Sequence, residues 1–128
     1  MKIPDYIDCA PEYRASDVAY RFTICNGCGA AGAKFDFVPD SILGLSIKDA
    51  CFPHDWDYHF GKTLEDKRRG DARFLTNMME IINRNKAFWF LKWRRRRHAL
   101  TYYNFVCDMG EKAFWSGKTK PDSSKAGK

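Results

Sequence analysis

A mostly α domain is what this sequence predicts, and three observations carry that expectation. Phe74, Leu75, Met78, Ile81 and Ile82 recur at the spacing of a single helix face. Ser46-Ile47-Lys48-Asp49 and Thr63-Leu64-Glu65-Asp66 both have the form that opens a helix by reciprocal capping. No alternating strand pattern extends beyond a few residues. The chain has 128 residues, which suits one domain, and its 45% hydrophobic content is enough for a packed core. No apolar run approaches the roughly 20 residues of a membrane span. No repeat recurs at a period of about 20–50 residues.

Residues 1–12 read as an irregular arm broken by Pro4 and Pro11. Residues 16–23 predict a short helix with Ser16 as its N-cap. Residues 25–32 are dense in Gly and Ala and cannot fill a core, so they predict a loop whose backbone is the working part. Residues 35–45 are mixed, with turn signals at Val38-Pro39-Asp40 and at Gly44. Ser46 then starts a helix carrying Ala50, Cys51, Phe52 and His54, closed by Gly61. Pro53 directly precedes His54, so this helix either bends there or begins with Pro53 as its first residue. Thr63 opens the next helix, which runs through Ile82 to a break at residues 83–85. A third helical stretch extends from about Lys86 to Trp115, with an interruption expected near the arginine run. The domain is read as residues 1–115. Residues 116–128 hold four Lys and one Asp among Gly, Ser and Pro, the composition of a disordered basic tail.

Net charge is +6, and residues 84–97 hold seven Lys or Arg with no acid. Such a surface favours anionic partners, either phospholipid headgroups or nucleic acid. Trp89 and Trp93 beside Arg94, Arg95, Arg96 and Arg97 have the composition of an interfacial membrane contact. The competing reading is an aromatic core helix with a solvated basic end. The N-terminus has no apolar stretch of the kind a signal peptide carries, so the expected location is cytoplasmic. Five cysteines are an odd number, and Cys25-x-x-Cys28 is compatible with half a zinc site completed by Cys9, Cys51 or Cys107. Free thiols, or one or two disulfides, are the other readings.

The chemistry concentrates in Asp49-Ala50-Cys51-Phe52-Pro53-His54-Asp55-Trp56-Asp57-Tyr58. A helix stacks His54 and Tyr58 on one face and turns Asp55 by about 100° toward a neighbouring pocket. A tight turn near Lys62 folds the next helix back, so positions summing to about 125 face one another. Asp71 therefore falls opposite His54. A buried carboxylate facing an imidazole fixes its tautomer and raises its basicity. Tyr58 is placed to donate its hydroxyl to the same carboxylate. Calcium takes six to eight oxygens, many from backbone carbonyls and one or two from carboxylates. The loop from Gly27 to Gly32 could supply the carbonyls and Asp55 the carboxylate. Taken singly, a His-Asp dipeptide on a helix usually faces solvent, and a glycine loop is usually a turn. His59 and His98 read as exposed or satisfied histidines, and Asp57 as exposed.

CGAAG at 28–32, followed by ACFPHDWDY at 50–58, resembles the phospholipase A2 signature of a CGxG-type calcium loop and a CCxxHDxxCY helix. The HDxxY form, with GDARFLTNM at 70–78, is most similar to the bacterial and phage-encoded branch, and the likeness covers about residues 20–85. It implies an antiparallel helix pair with a calcium loop across one end. It implies His54 as general base, Asp71 as the carboxylate that orients it and Tyr58 as a donor to Asp71. Asp55 and the carbonyls of Gly27, Gly29 and Ala31, or Gly32 in a shifted register, would hold Ca²⁺. Cys28 and Cys51 would form the loop-to-helix disulfide. The implied activity is hydrolysis of a phospholipid acyl ester at an anionic membrane surface, with phage encoding or non-classical export as alternatives to the default cytoplasmic location. Two alternatives stand beside it: an inert scaffold of the same fold that binds membrane or protein, and a basic nucleic-acid-binding module.

Overall fold

The computed structural model describes residues 3–25, 39–115 and 118. Among them the elements run α1 (Pro11–Ala15), α2 (Val18–Ile24), β1 (Ser41–Ile42), β2 (Leu45–Ser46), α3 (Lys48–Phe60), α4 (Leu64–Arg84), α5 (Trp89–Met109) and α6 (Glu111–Trp115). The class is mostly α, as the sequence predicts. Of the tail, Lys118 alone falls within the described residues.

The capping box that Thr63 and Asp66 predict is complete. Thr63 Oγ1 accepts from the Asp66 N–H at 3.0 Å, and Asp66 Oδ2 accepts from the N–H groups of Thr63 at 3.2 Å and Lys62 at 2.9 Å. Hydrogen bonds from Lys62 and Thr63 hold the Asp66 carboxyl below its ordinary range. With its start fixed locally, α4 turns Phe74, Met78, Ile81 and Ile82 inward against α3 and α5. The short connection brings α4 back along α3, and Arg73 reaches Asp57 at 2.9 Å. Gly61 does close α3, but with an extended backbone (φ −65°, ψ 147°) instead of a left-handed one. Its glycine is needed for packing, since a Cβ there would lie 2.6 Å from the Phe114 ring.

Several local expectations are corrected. Pro11 opens α1, because a proline at the first helical position loses no hydrogen bond. Ser16 donates to the carbonyl of Tyr13 at 2.6 Å and so finishes α1, while Asp17 precedes α2. Ser46 is a strand residue paired with Ser41, and Ile47 is the N-cap of α3 without a side-chain bond. Pro53 lies inside α3, so the helix starts upstream of it. Asp57 is not exposed: its side chain is 12% accessible and ion-paired with Arg73. Burial raises its carboxyl, and the Arg73 charge opposes that.

The β1–β2 hairpin turns through Leu43 (φ 46°) and Gly44 (φ 83°), the paired positive values of a tight hairpin turn. Arg95 Nη2 donates to the carbonyl of the strained Leu43 at 2.9 Å, and Tyr102 donates to that of Ser41 at 3.1 Å. The α5 helix runs unbroken through the arginine run and ends before Gly110.

Candidate active site

The α3–α4 register brings together the three residues that sequence spacing singled out. His54 Nε2 lies 2.8 Å from Asp71 Oδ1, and the Tyr58 hydroxyl donates to the same oxygen at 2.7 Å. His54, Tyr58 and Asp71 are at most 1% exposed. The imidazole is held in rotation by Phe74, nearly parallel at 4.6 Å between centroids, and by Tyr58 at 4.3 Å. Since a carboxylate can only accept, Nε2 carries the proton and the basic lone pair of the neutral ring is on Nδ1. Burial pushes the Tyr58 phenol up, and the adjacent Asp71 charge adds to this, so Tyr58 stays a donor.

Asp71 has a third partner that the sequence reading missed. Lys67 Nζ donates to its other oxygen, Oδ2, at 2.7 Å. Burial by itself would raise the Asp71 carboxyl. The hydrogen bonds from His54, Lys67 and Tyr58, with the His54 charge, outweigh that and hold it below its ordinary range. A sequence signal existed, because Lys67 and Asp71 are four apart on one helix.

Asp55 is 2% exposed. Its direction is legible through Cys25, whose thiol is pushed up to about 12 by burial and, next, by the Asp55 charge. Cys25 is the last described residue before residues 26–38. Asp55 thus lies near Cys25, the C-cap of α2. Gly27, Gly29, Ala31 and Gly32, the remaining calcium ligands of the sequence reading, lie outside the described residues. Among the described residues, no group of three or more His, Cys, Asp or Glu is placed to hold a metal ion. Asp55 contributes one buried carboxylate, a donor suited to Ca²⁺ when completed by backbone carbonyls.

Cys51 is buried and disulfide-bonded, which removes it from any zinc site. Cys28, the partner the resemblance assigns to it, lies outside the described residues. Cys9, Cys25 and Cys107 are free thiols. His59 is exposed, and His98 Nδ1 lies 2.9 Å from the carbonyl of Arg94.

The surface expected from residues 89–97 is corrected in part. Trp89 is 76% exposed and Trp93 47%, with Phe88 and Phe90 beside them. Phe90 joins these rings at 5.7 Å from Trp89 and 6.0 Å from Trp93. Arg97 stacks over Trp93 and Arg94 over Phe90. Arg95, however, is buried against Asn85 and Leu43, because the helical period places it on the face of Ala99 and Val106. Arg96 is half-buried and bonds Asn83 at 3.0 Å. Only Arg94 and Arg97 of the four are exposed. A groove of about 670 Å³ opens beside Tyr20, Trp56, Phe60 and Arg73, but neither His54 nor Asp71 lines it. No helix among the described residues is long and apolar enough to cross a membrane. Comparison with family models, with curated proteins and with solved structures gave no match to this chain.

Proposed function

We propose that this chain is a calcium-dependent hydrolase of phospholipid acyl esters, with His54 as its general base. The supporting observation is the buried His54–Asp71–Tyr58 cluster, which leaves Nδ1 as the basic atom of a fixed imidazole. His54 Nδ1 takes the proton of a water as that water attacks the ester carbonyl. Asp71 holds Nε2–H and stabilises the imidazolium that forms. The same proton then passes from Nδ1 to the departing alkoxide. Asp55 and the loop carbonyls would hold Ca²⁺, which when bound supplies the positive charge that polarises the ester and offsets the oxyanion. His54 is 1% exposed, so a substrate reaches Nδ1 only when the packing around the ring opens.

Fatty-acid release from mixed phosphatidylcholine and phosphatidylglycerol vesicles tests this reading. Release with calcium that stops with chelator supports it, and no release in either condition overturns it. The exposed α5 face suits the surface on which such a substrate lies. Trp89, Trp93 and Phe90 offer apolar anchors, and Arg94 and Arg97 offer charge to anionic headgroups. Arg94→Gln with Arg97→Gln is expected to weaken binding to anionic vesicles by about 1 kcal/mol per charge. Turnover of a soluble short-chain ester should stay near wild type. Co-sedimentation with vesicles and the soluble assay measure the two effects, and equal losses in both would make these arginines structural. Duplex nucleic acid that binds as tightly as anionic vesicles, with no response to calcium, would favour the nucleic-acid module instead.

A further inference from the structure

Lys67 is an unusual residue to find inside a small domain. Its side chain is 4% exposed, and a lysine is almost never that buried unless paired. Its ammonium has three protons and meets three acceptors: Asp71 Oδ2 at 2.7 Å, the carbonyl of Val106 at 3.1 Å and that of Cys107 at 3.4 Å. Those carbonyls belong to the last turn of α5, the negative end of that helix. The cation is therefore fixed from two helices and has no free proton with which to reorient.

The consequence falls on Asp71. Its Oδ1 already receives both His54 and Tyr58. Without Lys67, Oδ2 would be a buried anionic oxygen lacking this donor, and the carboxylate could rotate to exchange its oxygens. We propose that Lys67 is a positioning residue for His54: it anchors the far oxygen of Asp71 so that the near one stays aimed at Nε2. The catalytic part of this inference rests on the hydrolase reading, whereas the geometric part does not. A merely structural lysine would tie α4 to α5 and leave the His54–Asp71 bond as it is.

The test reads both parts in the full chain. The first readout is the downfield ring N–H resonance of His54, which a short bond to a fixed carboxylate produces. The second is kcat and KM on a soluble short-chain phospholipid with calcium. Lys67→Met should lose or broaden the resonance and lower kcat about tenfold or more, with KM within about twofold. Lys67→Arg keeps the charge with a different donor geometry and should restore part of both. A folded Lys67→Met protein with resonance and kcat near wild type overturns the proposal. If that variant does not fold, Lys67→Met is added to Asp71→Asn, which removes both charges together. Lys67 acts through Asp71, so on that background kcat should fall no further, and a further fall beyond about threefold overturns the proposal. If the wild-type protein releases no fatty acid, the hydrolase reading fails and the resonance alone decides the position of Lys67.

Discussion

His54→Ala is expected to abolish fatty-acid release while the helical fold and calcium affinity survive. The imidazole is placed against a buried carboxylate that also accepts from the Tyr58 hydroxyl. Its loss removes the acceptor for the proton of the attacking water, a contribution of about 10²–10⁴ in rate. The fold should tolerate it, because Asp71 keeps Lys67 at 2.7 Å and Tyr58 at 2.7 Å and remains a paired carboxylate. Calcium binding should persist because the ring is not among the proposed oxygen ligands. A pH-stat assay reads the activity, circular dichroism the fold and calorimetry the calcium. Activity near wild type would move the base elsewhere. His59 and His98 would then be the first candidates.

The facing of His54 and Asp71 was legible because it depends on short-range features. Thr63 and Asp66 fix where α4 begins, a short connection forces it back along α3, and helical spacing then sets the register. What could not be read depends on partners distant in sequence. Lys67 looks like one more cation on α4 until the carbonyls of Val106 and Cys107, about 40 residues away, close around it. The arginine run looked uniform because composition does not distinguish faces. The period through Arg95, Ala99 and Val106 was nonetheless present, and it separates the buried arginine from exposed Arg94 and Arg97. Ser16 and Ser46 show another limit. A serine at the head of a helical stretch is an N-cap pattern, yet the same hydroxyl can bond a carbonyl behind it, as Ser16 does. Nothing local indicates which bond forms.

Asp55→Asn is expected to lose both calcium binding and turnover. Water attack on an ester puts a full negative charge on one oxygen, and a loop N–H alone offsets only part of it. Asp55 follows His54 directly in the chain, is 2% exposed, and lies close enough to Cys25 for its charge to help raise that thiol. It is therefore a buried carboxylate next to the base in the chain and close to Cys25 at the end of α2. Asparagine keeps the shape and one carbonyl oxygen but removes the charge, and a site with a single carboxylate depends on that charge. The rate should fall about 10²–10³-fold, the scale of losing one oxyanion stabiliser. Magnesium should substitute poorly in the wild-type protein, since it demands a smaller octahedron and retains its waters. Calorimetry of calcium into the wild-type and Asp55→Asn proteins, with lipid present, measures binding without reference to activity. Wild-type binding that Asp55→Asn abolishes would place the ion at Asp55. No wild-type binding in the range of about 1 mM, where weak calcium modules lie, would remove the charge the ester chemistry needs and leave an inert scaffold as the better reading.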